Sequence, residues 1–343
     1  MTKTTKTALV LQGGGALGAY QYGAISAIEE AQPDFEPCIV TGVSIGAINA
    51  AVYVGGREGG VKSLKRLWDT VKMPTIPFLP QQWQAKASKV ANPAMYYMST
   101  SYLMTPLVAE SVYDLAPFKQ LLNDLIDFDK INQSKIRLVI EAVNVETGEL
   151  KQFKNHDEEG IDLDKVVSSM SIPPNFPMVA VDNNYYWDGG LYANMPLAPA
   201  INYLEDVETK KVEKVVRELI IMNLFRKNSP LPTNIMEISD RIKEIMFESK
   251  LKLDRKFFEQ MKGYIEMMQA VDKELPKNSP VRKMKAYQEL LNHKIIDRHG
   301  VLQYEAEGVE GTDDFTPEAI DFRFRRGYRD MQNYLHLSTQ NSN

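Results

Sequence analysis

Between residues 8 and 60 the apolar positions come in two short bursts, each followed by glycines and then by a helical spacing. Ala8-Leu9-Val10-Leu11 runs into Gly13-Gly14-Gly15, and a helical pattern follows from Ala16 to about Ala31. Ile39-Val40-Thr41 runs into Gly42-Val43-Ser44-Ile45-Gly46, and a helix of small residues follows from Ala47 to about Tyr53. Strand then helix, twice, predicts a parallel sheet covered by helices. Further along, the pattern predicts a helix from Ala116 to Phe128. A strand from Ile136 to Val145 turns at Thr147-Gly148 and returns over Leu150 to Phe153. A short helix from Val166 to Met170 is stopped by Pro173-Pro174. A hairpin pairs Val179–Val181 with Tyr185–Trp187, and Leu219–Met222 is an apolar strand within 217–225.

After about residue 230 the pattern changes. Pro230 and Pro232 interrupt the chain, and long charged, Met-rich helices are predicted from Ile235 to Val271 and from Val281 to His293. The expected organisation is therefore an α/β domain over 5–230, with a mainly parallel sheet flanked by helices. A mostly helical C-terminal extension of unassigned role follows over 231–343.

Charge changes this picture in one place. The chain as a whole carries a formal charge of -5, which gives no argument for nucleic-acid binding. Residues 241–300, however, hold 14 Lys and Arg against 9 Asp and Glu. Such a segment can seat on an anionic surface, although a solvated helical face with i,i+4 pairs is the commoner explanation. The single cysteine, Cys38, excludes an internal disulfide and a Cys-rich metal site, and is expected as a buried strand residue. The N-terminal apolar run is too short for a signal-peptide core, and no stretch approaches the ~18 apolar residues of a spanning helix. The expectation is a cytoplasmic protein that meets any lipid peripherally.

Three constellations carry chemistry. Gly13-Gly14-Gly15-Ala16-Leu17-Gly18 satisfies G-x-G-x-x-G, but no Lys follows as a phosphate-binding Walker loop would require. Backbone N–H groups crowded at a helix start can hold a phosphate or the oxyanion of an acyl intermediate. A dinucleotide site would also want an acidic residue at the end of the second strand; Asp34 and Glu36 precede that strand instead. Gly42-Val43-Ser44-Ile45-Gly46 is G-x-S-x-G between strand and helix, the context of a nucleophile elbow, and the alternative is a serine that only caps a helix. A serine nucleophile needs a base. His293 and His299 follow in the chain order of a Ser-Asp-His triad, but both lie in the charged segment and read as surface residues. Asp188, after an aromatic strand and before Gly189-Gly190, is the other candidate.

In these residues the chain resembles the patatin-like phospholipase family, which combines a glycine-rich turn, a G-x-S-x-G elbow and an Asp-Gly-Gly turn in that order. The stretch Ser168–Pro177 also resembles the family's segment ahead of its aspartate, and the likeness covers about residues 5–225. Residues 314–330 resemble the C-terminal extension of one bacterial subgroup. The resemblance implies a lipid acyl hydrolase with a Ser44–Asp188 dyad, an oxyanion hole among Gly13, Gly14, Gly15 and Ala16, and no metal or organic cofactor. Two positions depart from the family: Leu17 stands where Lys or Arg is frequent, and Ile45 stands where a small residue or Met is usual. Ile45 is therefore expected to narrow the acyl site. The segment 73–110, with Trp83, Tyr96, Tyr97 and Tyr102, reads equally as a loop packed on the core or as a pocket for the acyl chain. A catalytically silent scaffold for lipid or partner binding is the rival from another class.

Overall fold

The computed structural model describes residues 3–340 except 75, 79, 81, 82, 85–91, 208–213, 227, 228, 230, 234 and 306–310. Pro230 and part of the segment 73–110 thus lie outside the described residues.

β1 (Lys3–Leu11) leads through a 3-10 turn at Gly15–Gly18 into α1 (Ala19–Ala31). β2 (Ile39–Val43) is followed by α2 (Ile45–Gly55) and α3 (Gly60–Val71). Next come β3 (Tyr97–Met98), α4 (Thr100–Met104), β4 (Tyr113–Asp114), α5 (Ala116–Leu125) and α6 (Phe128–Gln133). β5 (Arg137–Asn144), β6 (Leu150–Lys154), α7 (Leu163–Ser168), β7 (Val179–Val181) and β8 (Asn184–Asp188) follow, then α8 (Leu197–Asp206) and β9 (Lys214–Asn223). The chain continues through α9 (Ile235–Glu274), α10 (Lys285–Asn292), β10 (Arg298–Gln303) and α11 (Pro317–Gln340).

The fold is α/β. Its eight-stranded sheet has the order β10-β9-β1-β2-β5-β8-β7, with β6 also on β5. The five strands from β10 to β5 are mutually parallel. β1 alternates between two cores: Leu9 and Leu11 pack with α1, α2 and α3, while Ala8 and Val10 pack with Leu197, Ala200 and Leu204 of α8. A strand buried on both faces reads as a continuous apolar run, and this made Ala8–Leu11 visible. Its polar first half, Lys3–Thr7, pairs with β9 and was not expected.

The segment after residue 230 is mostly helical, but its last part returns to the sheet. β10 adds a parallel strand beside β9, with Arg298 opposite Glu218 and Gln303 opposite Asn223. α11 lies against α1 at glycine contacts: a Cβ on Gly327 would stand 1.9 Å from the Tyr20 carbonyl oxygen, and one on Gly23 2.0 Å from that of Phe324. α3, α8, β10 and α11 are additions to the predicted elements. The helix predicted over 281–293 is instead a 3-10 turn at Pro280–Lys283 followed by α10. Cys38 is half-buried just before β2 and donates from Sγ to the Thr7 carbonyl at 3.3 Å; burial pushes its thiol up to about 11. No described helix is long and apolar enough to cross a membrane.

Candidate active site

Strand register brings Ser44 and Asp188 together. β6 occupies one edge of β5, over Val139–Val143. β2 and β8 share the other edge, end to end. β2 pairs as far as Val43 opposite Glu141, and β8 begins its pairing with Asp188 opposite Ala142. β2 runs parallel to β5 and β8 antiparallel, so the two C-terminal ends converge at one point. A Cβ on Gly189 would touch Val43 Cγ2 at 2.8 Å, which confirms that the ends abut.

At that junction Ser44 has φ 55 and ψ -129, a conformation rare outside glycine. Its strain is sustained by the packing around it. A Cβ on Gly42 would lie 2.5 Å from the Gly46 carbonyl oxygen, and one on Gly46 2.2 Å from that of Leu11. Both flanking positions of the elbow therefore require glycine. The Ser44 amide donates to the carbonyl (3.1 Å) and the hydroxyl oxygen (3.0 Å) of Ser169.

Asp188 is buried, 4% exposed. Its own amide donates to the Ser171 carbonyl at 3.0 Å. Oδ1 accepts the Gly190 amide at 2.8 Å, and the Ser44 side chain lies near enough to the carboxylate to favour its charged form. Burial raises the Asp188 pKa to about 7, against the opposing pull of the nearby Ser44 side chain and the Gly190 amide. No histidine among the described residues bonds to Ser44. His293 pairs with Glu205 at 2.7 Å, His156 with the Ser134 carbonyl, and His299 lies within β10.

The glycine turn faces this pair. A Cβ on Gly13 would fall 2.8 Å from Ser44 Cβ and 2.4 Å from Asn194 Oδ1. Asn194 Nδ2 donates to the Gly13 carbonyl at 3.0 Å, and the Gly13 amide reaches the Asn194 carbonyl at 3.4 Å. Beneath the turn, Gln21 donates to the Gln12 carbonyl, and Asn49 joins the Gly18 carbonyl, Gln21 and the Trp68 indole.

Two of the oxyanion candidates already have acceptors. Ala16 is not a free oxyanion donor, because its amide is taken by the Thr312 carbonyl at 2.7 Å. Gly13 likewise already has an acceptor, which leaves the Gly14 and Gly15 amides without a backbone acceptor among the described residues. A dinucleotide use of the turn, already disfavoured in the sequence, gains no support. The Thr312 carbonyl oxygen occupies the space beside Gly15, 2.1 Å from where a Cβ would be, and presents an acceptor where a phosphate would need donors.

The acyl-pocket candidates are dispersed. Ile45 is buried in the core against Gly18, whose Cβ would meet its Cγ1 at 2.6 Å, so Ile45 is a packing residue. Tyr96 is also buried, in a cluster with Tyr113 and Phe176. Trp83 and Tyr97 are exposed, and Tyr102 is half-buried beside the Ser99 cap of α4. Tyr96 thus anchors its part of the segment, while Trp83 and Tyr97 are presented outward. Sequence reasoning did not assign roles to Ser169, Asn194 or Thr312. Ser169 and Asn194 stand in segments flanking Asp188, and that proximity was their one signal.

Residues 9–201 match the family model described as patatin-like phospholipase. The chain belongs to that family. A cGAMP-activated phospholipase of Pseudomonas aeruginosa is 32% identical over 119 residues, which are 32% of this chain and 35% of that protein. The match therefore spans about a third of the curated relative's length. Among solved structures, VipD from Legionella pneumophila aligns over 96% of this chain and 66% of its own, with 14% identity and a TM-score of 0.37. The type III effector protein ExoU aligns over 97% of this chain and 53% of its own, with 15% identity and a TM-score of 0.36. Within the patatin-like match lie the glycine turn, the elbow, Asp188 and Asn194; β9, β10, α11 and Thr312 lie outside it.

Proposed function

We propose that this chain hydrolyses carboxylic ester bonds of lipids, with Ser44 as nucleophile and Asp188 as its base. The observation that carries this reading is the convergence of β2 and β8, which sets Ser44 beside the buried carboxylate of Asp188, whose pKa burial raises to about 7. An ordinary carboxylate is too weak a base for a serine; one raised to near neutrality is matched to the task.

In the first step the Ser44 oxygen bonds to the ester carbonyl carbon while its proton passes to Asp188. The carbonyl oxygen becomes an oxyanion, held by the amides of Gly14 and Gly15. The carbon–oxygen bond to the leaving alcohol then breaks as Asp188 returns the proton to that oxygen, leaving an acyl-enzyme. Water repeats the sequence, with Asp188 again as base, and releases the fatty acid. The buried setting tolerates the protonated, neutral Asp188 that each step creates. Neither a metal nor an organic cofactor enters these steps.

The substrate class is a phospholipid, lysophospholipid or related acyl ester, met at a membrane surface. α9 supports that contact: Ile238, Ile242, Ile245 and Met246 are exposed at helical spacing at the start of the basic stretch 241–300. Sedimentation with anionic vesicles tests it; Ile242→Glu and Ile245→Glu should lower the bound fraction. The hydrolase reading is tested with a fluorophosphonate probe. Labelling is expected at Ser44 and is expected to vanish in Ser44→Ala. A folded protein that is not labelled and turns over no ester would favour the silent scaffold.

A further inference from the structure

The segment 311–316 lies outside the family match but against the glycine turn. The Thr312 carbonyl accepts the Ala16 amide at 2.7 Å and fills the space beside Gly15, whose φ is +54. That amide is one of the unpaired donors at the start of a helix, so the contact pins the turn where Gly14 and Gly15 are set.

The segment is itself held from α11. Arg323, 0% exposed, donates from one terminal nitrogen to the Asp314 carbonyl at 2.6 Å and from the other to the Gly311 carbonyl at 3.0 Å. It thus grips the chain on both sides of Thr312. Asp314 Oδ1 accepts from the amide (3.0 Å) and hydroxyl (2.7 Å) of Thr316, which fixes the turn into α11. The Phe315 carbonyl accepts the Met73 amide at 2.9 Å, and the Phe315 ring stacks on Trp68. Trp68 in turn donates to Asn49, which donates to the Gly18 carbonyl at the other end of the 3-10 turn.

We propose that Arg323 is a positioning residue for ester hydrolysis: through the Thr312 carbonyl it fixes the Gly13–Gly18 turn so that the Gly14 and Gly15 amides meet the oxyanion. The inference rests on the hydrolase reading above. A planar fork suits two carbonyls that flank a third. Donors that hold an oxyanion act mainly in the transition state, and loss of one costs ~10²–10³-fold in kcat. Loosening the turn should cost part of that and leave ground-state binding nearly alone.

The test compares wild type, Arg323→Met and Arg323→Lys, each checked for folding by circular dichroism and melting temperature. Arg323→Met is expected to lose ~10–100-fold in kcat with KM changed less than ~3-fold. The rate of fluorophosphonate labelling at Ser44 should fall in parallel, because that adduct also places an oxygen against the turn. Arg323→Lys keeps the charge and serves where Arg323→Met does not fold; it should lose less, ~3–10-fold. A folded variant with wild-type kcat and labelling rate overturns the proposal, as does a rise in KM with kcat unchanged. Absence of Ser44 labelling in the wild type would overturn the hydrolase reading itself, and so the two failures are distinguishable.

Discussion

Ser169 accepts the Ser44 amide twice, through its carbonyl at 3.1 Å and its hydroxyl oxygen at 3.0 Å, while its own hydroxyl proton goes to the Glu141 carbonyl at 2.7 Å. One fully buried side chain thus ties the strained elbow to the strand beside it. In Ser169→Ala the Ser44 amide keeps one acceptor and the Glu141 carbonyl loses its donor. The expected cost is about 1–2 kcal/mol of stability, with kcat lowered by less than ~10-fold because Ser44 and Asp188 remain. Chemical denaturation alongside turnover checks both; an unchanged midpoint would mean that the Ser169 hydroxyl carries none of the elbow's strain.

Asp188→Asn should separate stability from activity. The Gly190 amide can still donate to an amide oxygen, but the proton acceptor is gone, so kcat should fall ~10²–10⁴-fold. Stability should move the other way. The folded pKa is about 7 against an ordinary 3.8. Between those values the unfolded chain has released a proton that the folded protein still holds, so wild-type stability declines as pH rises from about 4 to about 7. Asn is free of that decline. The variant should gain roughly 1–4 kcal/mol relative to wild type at pH 8 and much less at pH 4. A stability difference that does not change with pH would contradict the raised pKa.

The pH–rate profile follows from the same carboxylate. Only ionised Asp188 can take the Ser44 proton, so kcat/KM should rise with pH and level off above about 7. Imidazole would titrate in a similar range, and therefore the histidines must be removed as well. The double variant His293→Ala, His299→Ala should keep both the turnover and the profile, since His293 is engaged with Glu205 and His299 stands in β10. A loss of ~10³-fold with the fold intact would indicate a histidine-containing triad.

Within 73–110 the aromatic rings should divide into two groups. Tyr96→Ala removes a buried ring that packs on Tyr113 and Phe176, and should cost about 3–5 kcal/mol. Trp83→Ala and Tyr97→Ala remove exposed rings and should leave stability nearly unchanged. If these outer rings touch the acyl chain, esters with long chains should suffer ~10-fold or more relative to two-carbon esters. Equal effects on both would assign the rings to the surface alone.

How much of this was legible in the sequence depended on what each residue contributes. Strands buried on both faces, such as Ala8–Leu11 and Ile39–Val43, announce themselves as apolar runs ended by glycine. β10 does not: in Arg298–Gln303 only alternate positions, Gly300 and Leu302, are buried. α11 hides for a related reason, because its fully buried positions include a charged one, Arg323. Ser44 and Asp188 were legible because side-chain chemistry and tight turns leave a residue-type signature. Thr312 acts through its carbonyl, which every residue type carries, and so no pattern could mark it. Ile45 misled in the opposite direction: adjacency to the nucleophile in sequence suggested the substrate side, whereas the elbow turns that position into the core against Gly18.

The bond from Ala16 to Thr312 also bears on the order in which the protein comes into being. A nascent chain emerges N-terminus first, so the glycine turn and the elbow are made before the segment that holds them. The carbonyl that seats the Ala16 amide, the arginine that grips it and the strand that borders β9 all come later in the chain. On the hydrolase reading, a partly synthesised chain therefore holds its nucleophile before the cradle for the oxyanion is finished.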